Sequence, residues 1–243
     1  MIATASLLFF RLLPIFVVAP VASFRRAPVL ARVMLCVLLS LILAGNLPAA
    51  SAGLAQQVSL VFFVQEFFAG MLLAFGLHAA VAVMQAFGQL IDFQVGFAAG
   101  AVFDPSSEQM ASLTGELLTV ALLVVFLVLN VHHDLLIGLN EFNKILPPGQ
   151  TFGWNADGIF VFGGIFTLGF IIASPVIITL WLFDLGVAFV SRSLPQAQMY
   201  FVALPMKVGV GILALAWLSA NLIHPFHRLL SRALSSWNAM FSV

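Results

Sequence analysis

The sequence predicts an all-α membrane protein, because its composition excludes a water-facing surface and its apolar residues are gathered into long runs. Hydrophobic residues occupy 63% of the 243 positions and charged residues only 7%, and the mean hydropathy is +1.15. Soluble domains have about a quarter of their residues charged. A chain with so few charges must be surrounded by lipid or by other apolar subunits.

Six apolar segments account for most of the chain, and most of them reach the roughly 20 residues that a helix needs to cross a bilayer. No charged, Ser-rich or Pro-rich linker divides them. We therefore expect a multi-pass protein with one membrane-embedded unit over residues 1–243 and no soluble domain. The segments are Ile2–Val21, Val29–Leu47, Val58–Phe87, Leu117–Val131, Ile159–Val190 and Phe201–Ile223.

Two of these segments are too long for a simple span. Val58–Phe87 and Ile159–Val190 would each exceed about 40 Å as one helix, against a hydrocarbon core of about 30 Å. Strong tilt, a break or projection into an assembly must absorb the excess. The second segment could also fold back as a hairpin, since it contains residues at which helices break or pack closely. These candidate break points are Gly163, Gly164, Gly169, Ser174 and Pro175.

The tail after Pro225 is predicted to form an amphipathic helix. Proline suits the first turn of a helix, and Arg228 and Arg232 lie off the apolar stripe. Such a helix either lies on the membrane surface or packs on a partner. The stripe is Phe226, Leu229, Leu230, Ala233, Trp237, Met240 and Phe241.

Several charged or ionisable residues interrupt the apolar segments. A charge at the bilayer centre costs about 2.5–3.5 kcal/mol on insertion scales, so each needs a buried partner or contact with water. One interpretation is a polar conduit or proton relay. The other is structural pairing, with Glu66 or Asp184 bound to Lys207 or Arg32. The full set is Arg11, Arg32, Glu66, His78, Glu116, Asp184 and Lys207.

The sequence gives no indication of catalysis, of a cofactor or of nucleic-acid binding. The formal net charge is zero, which argues against a nucleic-acid surface. No nucleophile elbow, phosphate-binding loop or zinc-protease motif is present. His132, His133 and Asp134 invite a metal site, but adjacent helical residues point about 100° apart and do not converge on one ion. We expect no metal there, and we interpret these residues as a polar loop after the fourth span.

The connection between the third and fourth spans is the most informative stretch. Asp104, Pro105 and the pair Ser106 and Gln109 have the spacing of a helix start. The preceding residues 96–103 are apolar, rich in Gly and Ala, and too short to span. Irregular backbone at membrane depth is tolerated only where protein buries it or where it lines a cavity. Residues 96–103 are therefore either an ordinary packed loop or a re-entrant plug that holds a pore shut.

This connection, GQLIDFQVGFAAGAVFDPSS, resembles the FliR family of type III secretion export gates. Three further stretches resemble the same family in the same order and together extend over almost the whole chain. The second of them has Val131 where the family has glycine, which puts the tight turn there in doubt. The stretches are FRLLPIFVVAPVASFRRAPVLARV, FLVLNVHHDLLIGLNEFNKILPPG and LPQAQMYFVALPMKVGVGILAL.

The resemblance implies an all-helical subunit of the flagellar export gate in the bacterial inner membrane, at the basal body. Its kinked long helices would form a FliP-like part over residues 1–158 and a FliQ-like hairpin with the amphipathic helix over residues 159–243. FliP-like and FliQ-like subunits would complete a helical cone, much of it lifted out of the bilayer plane. FlhB-like and FlhA-like proteins would dock on it, and unfolded export substrates would pass through it.

The resemblance also implies a plug at residues 96–104, beside a methionine-rich ring of the FliP-like partner. The plug would exclude ions at rest and yield when a substrate enters. Two alternatives remain: the paralogous subunit of virulence injectisomes, and a secondary transporter working alone. Transporters usually show repeated halves, and no repeat is evident here. The plug residues are Gly96, Phe97, Gly100, Val102, Phe103 and Asp104.

Overall fold

The computed structural model describes residues 2–18, 28–47, 59–97, 112–150, 153–154, 158–193 and 199–242, and nearly all of them are helical. This confirms the predicted all-α class. A two-residue antiparallel ladder pairs β1, Gly153–Trp154, with β2, Phe241–Ser242. The helices are α1 Ile2–Leu13, continued by a π-helical turn over Pro14–Val18, then α2 Val29–Asn46, α3 Leu60–Val95, α4 Leu113–Val128, α5 Val131–Ile145, α6 Gly158–Ser193, α7 Met199–Ala220 and α8 Ile223–Met240.

The predicted multi-pass architecture is confirmed, with two differences in detail. Among the described residues, four helices are long and apolar enough to cross a membrane: α2, α3, α6 and α7. The fourth predicted segment is the first half of a bent pair, α4 and α5, which would make a fifth span. The first predicted segment is a shorter apolar helix over Ile2–Val17.

Both overlong segments are uninterrupted helices over their described residues. Of the three predicted alternatives, tilt, a break or projection into an assembly, the break is therefore wrong. Helices α3 and α6 each contain 36 residues, which at 1.5 Å per residue is about 54 Å and well beyond the hydrocarbon core. Helix α6 continues through Pro175, which has no N–H for the Ile171 carbonyl. The Ser174 hydroxyl donates to that carbonyl at 2.8 Å instead. This replacement explains why the segment does not fold back as a hairpin.

Two of the glycines that the sequence marks as break points permit close packing instead. A Cβ on Gly164 would lie 3.2 Å from Nε of Arg232, and one on Gly169 would lie 2.0 Å from a methyl of Val83. The side chain of Met84 also lies against Gly169. These two positions of α6 therefore need glycine because neighbouring side chains occupy the space that a Cβ would fill.

A sharp corner separates α4 from α5, which are bent by 72°. Asn130 occupies it with a φ of 55°, a left-handed conformation that asparagine tolerates better than most residues. The tight turn is thus present although Val131 replaces the family's glycine. His132, His133 and Asp134 form the first turn of α5, so the predicted polar loop is wrong. Asp134 suits that position because a helix N-terminus favours negative charge.

Helix α8 is amphipathic, as predicted, and its apolar stripe packs on the chain itself. Phe226, Leu229, Leu230, Ala233 and Trp237 are buried, while the predicted stripe positions Met240 and Phe241 lie outside the described side chains. The indole of Trp237 donates to the Leu73 carbonyl at 3.0 Å. These five positions of the stripe are therefore covered by the chain itself, an arrangement that neither predicted alternative included.

The chain divides into two compact units, each with its own core. The first contains residues 1–81, 126–165 and 230–243, and the second contains residues 82–125 and 166–229. The predicted division at residue 158 stays a prediction. The core of the first unit includes Leu7, Leu8, Leu12, Leu73, Leu77 and Leu139, and that of the second includes Met84, Phe87, Ile91, Leu118, Val176 and Phe226.

Candidate functional site

The first unit contains a buried ion pair between α1 and α3. Nε of Arg11 lies 2.5 Å from Oε2 of Glu66, and the two side chains are 1% and 3% exposed. Gly70, one turn after Glu66, allows the helices to approach, because a Cβ there would lie 1.9 Å from the Arg11 carbonyl oxygen. The close approach of the two backbones brings the guanidinium beside the carboxylate.

Helix α5 and the turn that follows it supply the remaining partners of Arg11. Nη1 of Arg11 donates to Oδ1 of Asn143 at 2.7 Å and to the Leu146 carbonyl at 2.8 Å. The guanidinium also lies 5.3 Å from the ring centroid of Phe142, within the range of a cation–π contact. Arginine suits such a site because its donors are fixed in a planar fork.

The second oxygen of Glu66 is satisfied by a turn. Gly149 donates its backbone N–H to Oε1 of Glu66 at 2.8 Å, and its φ is 90°, a conformation that favours glycine. The Leu-Pro-x-Gly ending that resembles the family thus supplies a carbonyl to Arg11 and an N–H to Glu66. Because the pair is enclosed and hydrogen-bonded on both sides, its geometry favours a structural role over an ion path.

The second unit contains a buried carboxylate at the start of α4. Oδ2 of Asp92, near the end of α3, accepts from the Ser112 hydroxyl at 2.6 Å. Both carboxylate oxygens accept from the Thr114 backbone N–H at 3.2 Å, and Oδ1 also accepts from the Thr114 hydroxyl. Ser112 caps the helix in the usual way, since its hydroxyl accepts from the Gly115 N–H at 2.8 Å.

The backbones of α3 and α4 touch one turn before Asp92. A Cβ on Gly88 would lie 2.2 Å from Cα of Gly115, so no larger residue fits. At the end of α3, Gly96 has a φ of 96°, again a conformation for glycine. Gly88 and Asp92 therefore lie one turn apart on the same side of α3, and Gly96 forms the turn that ends the helix.

The predicted plug is only partly within the described residues. Gly96 and Phe97 form a turn directly after α3 and are half-buried. Gly100, Val102, Phe103 and Asp104 lie outside the described residues, as does the predicted helix start at residues 104–109. Within the described chain, α4 begins at Leu113.

A second ion pair joins α6 and α7. Nζ of Lys207 lies 2.8 Å from Oδ2 of Asp184, with side chains 16% and 49% exposed. Both residues are nine to ten positions from the connection at residues 194–198, so these parts of α6 and α7 run antiparallel. Beside the pair is a cavity of about 180 Å³ whose lining includes Phe93, Gln94, Gly96, Phe183, Asp184 and Lys207.

The other predicted charge pairings differ from the observed ones. Glu66 binds Arg11, whereas Arg32 donates from Nη1 to the Val17 carbonyl at 3.3 Å. The sequence identified Arg11 and Glu66 as buried charges without pairing them, and Asp92 is not among its candidate site residues. The signal for Asp92 is Ser112 followed by Thr114 at the start of an apolar run, which marks a capped helix.

The histidine stretch shows no metal geometry. The rings of His132 and His133 have centroids 4.3 Å apart, and no group of three potential ligands occurs in the part of the chain that the structure describes.

These features define a multi-pass, all-α membrane protein whose buried charges lie in pairs and helix caps within its own fold. The comparison with known families agrees with this class. The family described as "Bacterial export proteins, family 1" matches residues 2–233. The chain belongs to this family.

Individual relatives carry more specific names. The chain is 27% identical over 215 residues to the flagellar biosynthetic protein FliR of Bacillus subtilis (strain 168), covering 86% of this chain and 83% of that protein. It is 28% identical over 219 residues to the FliR of Escherichia coli (strain K12), covering 89% and 84%. It is also 26% identical over 156 residues to the Yop proteins translocation protein T of Yersinia pestis, covering 62% and 60%. The predicted resemblance to FliR is thus confirmed.

Proposed function

We propose that this chain is a non-enzymatic subunit of the flagellar type III protein export gate in the bacterial inner membrane. With FliP-like and FliQ-like subunits it forms the channel through which unfolded flagellar proteins leave the cell. The observation that carries this proposal is the family match over residues 2–233, together with FliR relatives that align over most of both chains.

The shape of the helices supports assembly with other subunits. Helices α3 and α6 are far longer than a bilayer core. In α7, only 11% of the most apolar stretch is buried within the chain. A lone bundle would leave the ends of such helices and most of the surface of α7 without protein contacts. Packing against FliP-like and FliQ-like helices covers them, with FlhB-like and FlhA-like proteins docked on the complex.

We propose further that residues 96–104 form the plug of this channel. Phe97, Val102 and Phe103 supply the apolar bulk, and the glycines at 96 and 100 let the segment move. The energy for export comes from elsewhere, so the chain acts as a passive gate. The support for this proposal is the family resemblance and the position of the segment directly after α3.

Replacing the plug tests the gate. In the assembled complex, residues 97–103 are exchanged for a Gly-Ser segment of equal length, and ion conductance is measured in planar bilayers. We expect a raised resting conductance because the apolar constriction is lost. The matched control exchanges the seven residues 50–56 in the same way, and an unchanged conductance in the plug variant removes the plug from the proposal.

Co-expression tests the assembly. Produced with FliP-like and FliQ-like proteins, the chain should co-purify as one complex, and produced alone it should be poorly stable. Stable, monodisperse protein that moves a solute on its own supports a secondary transporter instead.

The similarity to Yop proteins translocation protein T keeps the injectisome subunit as a second candidate. Complementation separates the two. The flagellar proposal expects this gene to restore motility to a strain lacking its own FliR, and restoration of virulence-protein secretion alone favours the injectisome.

A further inference from the structure

The connection between α3 and α4 is tied at its base by side chains from both helices. Asp92 lies one turn before the end of α3 and is only 5% exposed. Its partners Ser112 and Thr114 stand at the start of α4. We propose that these three residues form a latch that holds the two ends of the connection together and thereby sets the resting conductance of the channel. The second half of this statement rests on the proposed function.

Both carboxylate oxygens of Asp92 are engaged in hydrogen bonds to the start of α4. Each oxygen of Asp92 accepts at least two hydrogen bonds, and the donors are two hydroxyls and one backbone N–H of the first turn of α4. That N–H has no partner within its own helix. Because Asp92 is almost fully buried, parting the helices here removes the hydrogen bonds of a carboxylate and of a helix end together.

The backbones of the two helices touch one turn before the latch, at Gly88 and Gly115. Gly88 and Gly115 fix the separation of α3 and α4 by direct contact, which has no hydrogen bond to open. Beyond that contact, Asp92 links the two helices by hydrogen bonds to Ser112 and Thr114. The ends of the connection can therefore separate by pivoting about the glycine contact once the Asp92 hydrogen bonds break. Asp92 is a positioning residue, because it holds the start of α4 against the end of α3 and does not itself line the channel in this proposal.

A matched pair of substitutions isolates the latch. Thr114→Val removes the hydroxyl donor to Asp92 at nearly constant volume. Thr119→Val makes the same change on the same helix, at a buried threonine whose hydroxyl donates to the Gly115 carbonyl at 2.8 Å and does not reach Asp92. Thr114→Ser keeps the hydroxyl and should behave as wild type, and Asp92→Asn weakens the acceptor itself.

Two readouts are taken on the assembled complex. Spin labels at positions 90 and 117, where Leu90 and Leu117 are exposed, report the separation of α3 and α4 by electron double resonance in a Cys36→Ser background. Bilayer recordings report the resting ion conductance. Co-purification shows that each variant assembles, and variants that fail to assemble are replaced by Thr114→Ala.

We expect Thr114→Val and Asp92→Asn to broaden the label distances and to raise the resting open population about tenfold, equivalent to about 1.4 kcal/mol. Thr119→Val and Thr114→Ser should change neither. Unchanged distances in Thr114→Val overturn the latch. Broadened distances with an unchanged conductance overturn its control of the channel, provided that the plug exchange does raise conductance. If the plug exchange has no effect, the proposed plug fails, and the label distances alone decide whether the latch exists.

Discussion

Arg11 and Glu66 form an ion pair at 2.5 Å in which neither side chain reaches the surface of the fold. Each charge stabilises the other where lipid or protein would otherwise make it costly. The turn at Leu146 and Gly149 completes the pair, so α1, α3 and α5 are fixed by one network. The first stability prediction concerns this network.

Glu66→Ala should lower the free energy of unfolding by about 3–5 kcal/mol, because it leaves the Arg11 guanidinium buried without its counter-charge. The matched control is Glu141→Ala, which breaks the exposed Lys144–Glu141 pair and should cost at most about 0.5 kcal/mol. Denaturant titration of the purified complex measures both. Equal effects of the two substitutions would contradict a buried, enclosed pair.

Charge reversal at Lys207 should damage assembly before it damages transport. Nζ of Lys207 lies 2.8 Å from Oδ2 of Asp184, so Lys207→Glu brings a second carboxylate next to the first. The repulsion between the two carboxylates separates α6 from α7. We expect reduced co-purification with FliP-like and FliQ-like proteins, and recovery in the double swap Asp184→Lys with Lys207→Asp. Full assembly combined with lost export would instead favour a role for the pair in an ion path.

Gly88→Ala should disrupt the contact between α3 and α4. The added Cβ meets the Cα of Gly115 at 2.2 Å, and backbone cannot rotate away as a side chain can. We expect a loss of about 1–3 kcal/mol of stability. Gly209→Ala, in the interior of α7 with nothing within 4 Å of the added carbon, serves as the control and should be neutral or stabilising. Thermal unfolding of the two variants side by side checks the difference.

Trp237→Phe should cost about 1 kcal/mol, because it deletes the indole donor to the Leu73 carbonyl while keeping an aromatic ring in the core. Trp217→Phe is the matched control, since that indole is 60% exposed on α7. Tryptophan fluorescence during unfolding measures both variants. A similar cost for the exposed residue would show that the hydrogen bond to Leu73 contributes nothing.

Much of the fold could be predicted because it follows from composition and periodicity. The apolar runs gave the membrane class, and the spacing of Phe226, Leu229, Leu230 and Ala233 gave the amphipathic α8. Helix breaks were harder to predict, since they depend on single atoms. Pro175 suggests a break, but the Ser174 hydroxyl donates to the Ile171 carbonyl in place of the missing proline N–H. Val131 suggests that the turn is lost, but Asn130 adopts the left-handed conformation that the turn requires.

The polar centres could be predicted only in part. The cost of burial identifies Arg11 and Glu66 as paired residues, but nothing local joins positions 55 residues apart. The same holds for Asp92 and Thr114, which are in contact although they are 22 positions apart. The pairing of Asp184 with Lys207 was one of several alternatives that the sequence left open, and the structure selects it.

The Arg11 network also bears on how the protein is made. Translation delivers Arg11 to the membrane 55 residues before Glu66 and 132 residues before Asn143. Until Glu66 emerges, the first helix carries a cation with no counter-charge from its own chain. The network around Arg11 can therefore close only after α3 and the turn at Gly149 have been synthesised. More than half of the polypeptide has been made by then, so the N-terminal helix takes its polar partners from later parts of the chain.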